Sequence, residues 1–152
     1  MNIESILAPE RTCCCLTASS KKKAIEEAAR LIANVTDCLG AEEIYERLIS
    51  REKLGTTAIG HGVAIPHCRL SDCSEVLGGL FKLETPIDFD AFDDEPVSIL
   101  FVLLVPEVHI DDHLKTLAML AERFESDAYR SSLLGAKGDR DLYERAITAI
   151  PE

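Results

Sequence analysis

Tryptophan is absent, and aromatic residues make up only 5% of the 152 positions. A core of ordinary size must therefore be built from Leu, Ile, Val and Ala. Basic residues are also scarce: 16 Lys and Arg face 27 Asp and Glu, a formal net charge of −11. Nonspecific nucleic-acid binding and adhesion to an anionic membrane both need clustered cations, so neither is expected. The one basic run, Lys21-Lys22-Lys23, reads as a solvated helix start. No apolar stretch approaches the length of a membrane span. The longest, Val97 to Val105, suits a buried strand. Met1 to Ser5 has no basic leader followed by an apolar segment, so a cytoplasmic location with reduced cysteines is expected. A Walker phosphate loop is missing. So are paired Cys-x-x-Cys knuckles, and no metal or cofactor is expected.

What is present is the balance of a folded protein: 47% hydrophobic and 28% charged residues. The length fits one core, and residues 1–152 read as one domain. Ile3 to Leu7 can form a helical turn stopped near Pro9. Thr12 to Thr17 reads as a strand, its three cysteines as small hydrophobic filling. Ser19 or Ser20 can cap a helix burying Ile25, Ala28, Ala29, Ile32 and Val35. A second helix is expected over 41–53, with Ile44, Leu48 and Ile49 inward and Gly55 as its stop. Gly55 to Pro66 reads as short strands broken by permissive turns. Val76 to Leu83 and Val97 to Val105 are predicted strands, the second central because it is apolar on both faces. Glu84 to Pro96 reads as an acidic connection.

Further on, Asp111 or Asp112 can cap a helix whose apolar face is Leu114, Leu117, Ala118, Ala121 and Phe124. Asp127 to Leu134 reads as a short helix closed by Gly135. Asp139 to Ile150 is the last helix, with Leu142, Ala146 and Ile150 inward. Interleaved strands and helices give an α/β class, a mixed parallel and antiparallel sheet of about five strands flanked by helices on both faces.

Among the histidines (His61, His67, His109 and His113) the setting of His67 differs. It follows Val63-Ala64-Ile65-Pro66, and proline stiffens the backbone there and extends the residue before it. A nucleophile has to be held within a narrow angular range, and a strand end does that. A rival set of zinc ligands, His61, His67, Cys68 and Cys73, suffers because adjacent strand residues face opposite ways. His109, in the loop before a helix, reads as solvated. On its own His113 reads as an exposed helix residue, and Arg51 as a surface charge that can pair with Glu52 or Glu46.

The run from Arg51 through Glu52-Lys53-Leu54-Gly55 to Ala64-Ile65-Pro66-His67-Cys68 resembles the active-site signature of the mannitol/fructose-type enzyme IIA family of the phosphoenolpyruvate phosphotransferase system. Leu83-Glu84-Thr85-Pro86-Ile87-Asp88-Phe89-Asp90-Ala91, Leu103-Leu104-Val105-Pro106 and His113-Leu114-Lys115-Thr116-Leu117 resemble its nitrogen-regulatory branch. The similarity covers nearly the whole chain. It implies a phosphoryl group accepted on His67, His113 as a second histidine that stabilises it, and Arg51 as a basic partner. It also implies a histidine-phosphocarrier protein as donor, with output to regulatory targets such as potassium transporters or sensor kinases in nitrogen, potassium or carbon metabolism. The alternative is a IIA component serving a separate sugar permease IIB; a zinc or redox module is more distant. Two departures stand out: His61 where the family usually has asparagine, and Cys68 where glycine is common.

Each role suits its residue. A neutral imidazole is a competent nucleophile near pH 7. Phosphoryl transfer spreads charge over equatorial oxygens that His113 and Arg51 can meet with N–H donors. The Gly60–Gly62 backbone can offer further amides. Leu54 to Leu70 contains no Asp or Glu. A neutral, apolar disc of Ile59, Val63, Ile65 and nearby glycines is therefore expected around His67, with Asp111 and Asp112 held at a helix N-terminus.

Overall fold

The computed structural model describes residues 2–37, 39–108 and 110–148, the last segment with backbone only at 110–112. Its centre is a six-stranded sheet. The strands are β1 (Thr12–Leu16), β2 (Ala58–Gly60), β3 (Val63–Ala64), β4 (His67–Leu70), β5 (Leu77–Ile87) and β6 (Val97–Pro106). The order is β1-β5-β6-β3-β2, with β4 also on β6. Pairing is parallel for β1–β5, β3–β6 and β4–β6, and antiparallel for β5–β6 and β2–β3. The class is the expected α/β with a mixed sheet.

Six strands replace the expected five for a local reason. β3 pairs with Ile99 and Leu100 of β6, and β4 with Leu103 to Pro106. The two run along successive stretches of β6 and are separated by Ile65-Pro66, where proline lacks the N–H a ladder needs. Pro66 still accepts from the Leu103 amide at 2.9 Å, so the chain stays close to β6 through the break.

Helices cover both faces: α1 (Lys21–Asn34), α2 (Ala41–Leu54), α3 (Ile110–Phe124), α4 (Asp127–Leu134) and α5 (Asp139–Ile147). The central strand β6 feeds both cores. Leu100, Val102 and Leu104 join the layer that includes Ile25, Ile32, Ile44 and Leu48 of α1 and α2. Ile99, Phe101, Leu103 and Val105 join the layer with Leu120, Phe124, Leu133 and Leu142 of α3 to α5. Ser20 is the cap of α1, its Oγ accepting from the Lys23 amide at 3.2 Å.

Several expectations shift. Val35 is exposed rather than inward, because the helix ends one residue earlier. β5 continues to Ile87, so the first part of the acidic connection is strand, paired through Ile87 with Val97. Ile49 is only partly buried, and Cys15 is exposed while Cys13 and Cys14 are half-buried. The helix α5 ends at Ile147, and Ile150 lies outside the described residues. The largest shift is in α3. It begins at Ile110, so Asp111 and Asp112 stand in its first turn instead of capping it. Its buried stripe is His113, Thr116, Leu120 and Phe124, while Leu114 is 63% exposed and Ala118 is exposed. The helix is thus rotated by about one residue from the most apolar solution. The side chains of Asp111 and Asp112, and His109, lie outside the described residues.

Candidate functional site

The break at Ile65-Pro66 sets up the site. Ile65 is held by its amide donating to the Thr57 carbonyl at 3.0 Å. Two residues on, the His67 ring places Nδ1 2.8 Å from the Ile65 carbonyl oxygen. A carbonyl oxygen can only accept, so Nδ1 carries the proton and Nε2 is left with its lone pair. The ring is kept neutral by its setting. Burial is the main cause lowering its pKa from the ordinary 6.5; the bond to the Ile65 carbonyl opposes it, the Arg51 guanidinium lowers it further, and Glu52 opposes least. Desolvation and a nearby cation both disfavour imidazolium.

His67 lines a cavity of about 560 Å³ between α2, β4, the end of β6 and α3. His113 and Arg51 line it too, so the three residues predicted from sequence meet in one place. The rotation of α3 is what brings His113 inward: it is only 7% exposed, and its Nε2 is a buried nitrogen without a hydrogen-bond partner among the described residues. Such an atom fits an acceptor oxygen arriving from outside. Arg51 Nη1 donates to the Gly55 carbonyl at 2.9 Å, closing the end of α2. It does not pair with Glu52 or Glu46 in any described contact.

The expected neutral disc is not what surrounds His67. Val63 and Ile65 are buried in the core, and the cavity walls are Leu103, Val105, Leu114 and Leu117 together with three guanidinium groups, Arg47, Arg51 and Arg69. Among the described residues Glu107 is the acidic one in the lining, 3.8 Å from Arg47 with both side chains about half exposed. That is a weak, screened pair. Among the described lining residues three guanidinium groups thus face one carboxylate, on a chain that is negative overall. The helical spacing of Arg47 and Arg51, and the strand spacing of His67 and Arg69, carry this information in the sequence.

Nor does the glycine turn reach the cavity lining. Gly60, His61 and Gly62 all have positive φ (92°, 58° and 78°). The turn is left-handed, a conformation that asparagine tolerates better than histidine. The amide of His61 is taken by Asp93 Oδ2 at 2.9 Å, and a side chain on Gly60 would meet the Phe92 ring at 3.1 Å. The His61 amide is thus engaged by Asp93 rather than offered to an anion at His67. Cys68 lines the cavity as well, but burial pushes its thiol up to about 12, which leaves it protonated and inert. Among the described residues no three His, Cys, Asp or Glu side chains are grouped to hold a metal ion.

Sequence reasoning missed Glu52. It is 7% exposed. Its carboxylate meets Lys21 Nζ at 2.9 Å, the Thr57 amide at 2.9 Å and the Thr57 hydroxyl at 2.5 Å. Lys21 is therefore an ion-pair partner and not a solvated helix end; it also reaches Asp90 at 3.3 Å. A chain of bonds runs from Lys21 through Glu52, Thr57 and Ile65 to the His67 ring.

The fold is thus a mixed sheet between helical layers, with a histidine held by a backbone carbonyl beside a cation-lined cavity. The chain belongs to the phosphoenolpyruvate-dependent sugar phosphotransferase system EIIA 2 family, whose profile matches residues 5–148, and is by that membership a phosphoryl-transfer component. Within the family it is similar to a nitrogen regulatory protein of Pseudomonas aeruginosa, 41% identical over 97% of this chain and 96% of the relative. The crystal structure of nitrogen regulatory protein IIA-Ntr from Neisseria meningitidis shares the fold, with a TM-score of 0.86 and 37% identity over 95% of this chain and 97% of that one. At 14% identity and a TM-score of 0.75, over 93% of this chain and 98% of that one, the fold is also that of an Escherichia coli enzyme IIA of the mannitol system, determined in complex with phosphorylated enzyme IIB. Among the described residues no helix is long and apolar enough to cross a membrane.

Proposed function

We propose that this protein accepts a phosphoryl group on Nε2 of His67 from a histidine-phosphocarrier protein, and that its phosphorylation state regulates nitrogen, potassium or carbon metabolism from the cytoplasm. The observation that carries the reading is the bond from His67 Nδ1 to the Ile65 carbonyl, which leaves Nε2 as the nucleophilic nitrogen. Its lone pair attacks phosphorus; the P–N bond to the donor imidazole breaks, and that electron pair returns to the donor. The product ring is an imidazolium, and its Nδ1–H remains on the Ile65 oxygen, which steadies the new charge. His113, with a proton on Nε2, donates to a phosphoryl oxygen. Arg51 adds to the burial that keeps His67 neutral, and meets the incoming charge. No metal or nucleotide takes part in this scheme. The identity to nitrogen regulatory proteins favours a regulatory output over sugar uptake. Regulatory partners such as potassium transporters or sensor kinases would then read roughly two added negative charges at one spot.

His113→Ala should slow acceptance about a hundredfold, the lower end for losing one donor to a transition-state oxygen. Label should still accumulate on His67, because His113 does not attack. Unchanged single-turnover rates with a phosphorylated carrier would remove His113 from this role.

The direction of the His67 shift sets a pH dependence. With its pKa below 6.5, the ring stays neutral at pH 7 and acceptance falls only as pH drops through that lowered value. The unfolded chain takes up this proton first, so the shift costs stability as pH falls from the unfolded toward the folded pKa, and nothing above it. Arg51→Gln removes a lowering charge and should raise the midpoint of the His67 ring, followed by NMR titration. A midpoint above 6.5 in the unmodified protein would contradict the neutral-nucleophile scheme.

A further inference from the structure

We infer that Arg69 binds the phosphoryl group in transit to and from His67; the inference rests on the reading of His67 as acceptor. β4 alternates in burial, with Cys68 and Leu70 inward and His67 and Arg69 on the other face. Two strand residues span roughly 6.6 Å, a gap an arginine side chain can cross. Both residues line the same cavity.

Arg69 differs from every other arginine among the described residues. Arg30, Arg47, Arg140 and Arg145 face carboxylates. Arg11, Arg51, Arg123 and Arg130 donate to backbone carbonyls. Arg69 is exposed and has no such partner among the described residues. On a chain with 27 carboxylates, an unpaired guanidinium beside the nucleophile stands out. Arg51 is partly committed to Gly55, and Arg47 leans toward Glu107. Arg69 alone of the three keeps its donor fork free, and that fork matches two oxygens of a phosphoryl group. The phosphoryl group held by His67 and His113 from one side would be closed by Arg69 from the strand side.

The test separates contact with the phosphoryl group from contact with a partner protein. Phosphoramidate is the probe, a donor too small to touch a docking surface. Transfer forms the Nε2–P bond and breaks the P–N bond to nitrogen, which leaves as ammonia. Wild type, Arg69→Gln and Arg69→Lys are labelled and followed by 31P NMR and peptide mapping. Arg69→Gln should lower the second-order rate about tenfold and move the phosphohistidine 31P shift. Arg69→Lys should recover part of the rate, since a point charge replaces a fork. Should Arg69→Gln fail to fold by circular dichroism, a wild-type rate in Arg69→Lys with an unmoved 31P shift overturns the proposal. A wild-type rate in a folded Arg69→Gln overturns it too. So does a loss seen only with the protein donor, which would place Arg69 at the partner. Failure of wild type to label at His67 is a different result, and it overturns the acceptor reading itself.

Discussion

His67→Ala is expected to reduce phosphoryl acceptance to background while leaving the fold intact. The ring contributes one described hydrogen bond, to the Ile65 carbonyl, and its loss should cost about 1 kcal/mol. The ring lines the cavity, so its removal opens the Ile65 carbonyl to water from that side. No neighbour can substitute as nucleophile. The Cys68 thiol is protonated at neutral pH with its pKa near 12, and the carrier would have to reorient for His113. The label on wild type should be acid-labile, as a phosphoramidate is. Retained labelling in His67→Ala, or an acid-stable label on wild type, would move the acceptor elsewhere.

Glu52→Ala should be the most damaging single change outside the hydrophobic core. The carboxylate is almost fully buried and satisfies Lys21 and both donors of Thr57. Removing one member of a buried pair costs about 3–5 kcal/mol. Lys21 is partly exposed and can turn to Asp90, so the lower figure, about 3 kcal/mol, is expected here. For a chain of this size that corresponds to a drop in Tm of roughly 6–12 °C. Thr57→Val keeps the ion pair and should lose only about 1 kcal/mol. The Glu52 variant should also slow phosphoryl acceptance at temperatures where it is folded, because Thr57 holds Ile65 and Ile65 holds the His67 tautomer. A Glu52→Ala protein melting within about 2 °C of wild type would show that Lys21 and Thr57 find equal partners without it.

Much of this architecture is readable along the chain. β6 is apolar at successive positions from Ile99 to Val105, which marks a strand covered on both faces. Ser20 before a lysine-rich amphipathic run marks the start of α1. The proline before His67 announces a strand break and a held imidazole. What misled was α3. Leu114, Leu117, Ala118 and Ala121 form the more apolar stripe, yet the helix buries His113 and Thr116 instead. Hydrophobic periodicity assigns faces by transfer energy alone, and a helix at a functional cavity can turn a polar residue inward at some cost in burial.

By itself, then, the sequence determined the class of sheet, the helices on both sides, the family signature and the single histidine at a stiffened strand end. These follow from periodicities, caps and breakers that act within a few residues. Tertiary structure decided the rest: that Arg47, Arg51 and Arg69 gather at one cavity, that Glu52 is an interior carboxylate joined to Lys21, and that His113 faces inward with a nitrogen unpartnered among the described residues. Charge and desolvation at a point depend on distances between segments remote in sequence. Those distances exist only once β4 has been laid along β6 and α2 and α3 have closed on either side of it.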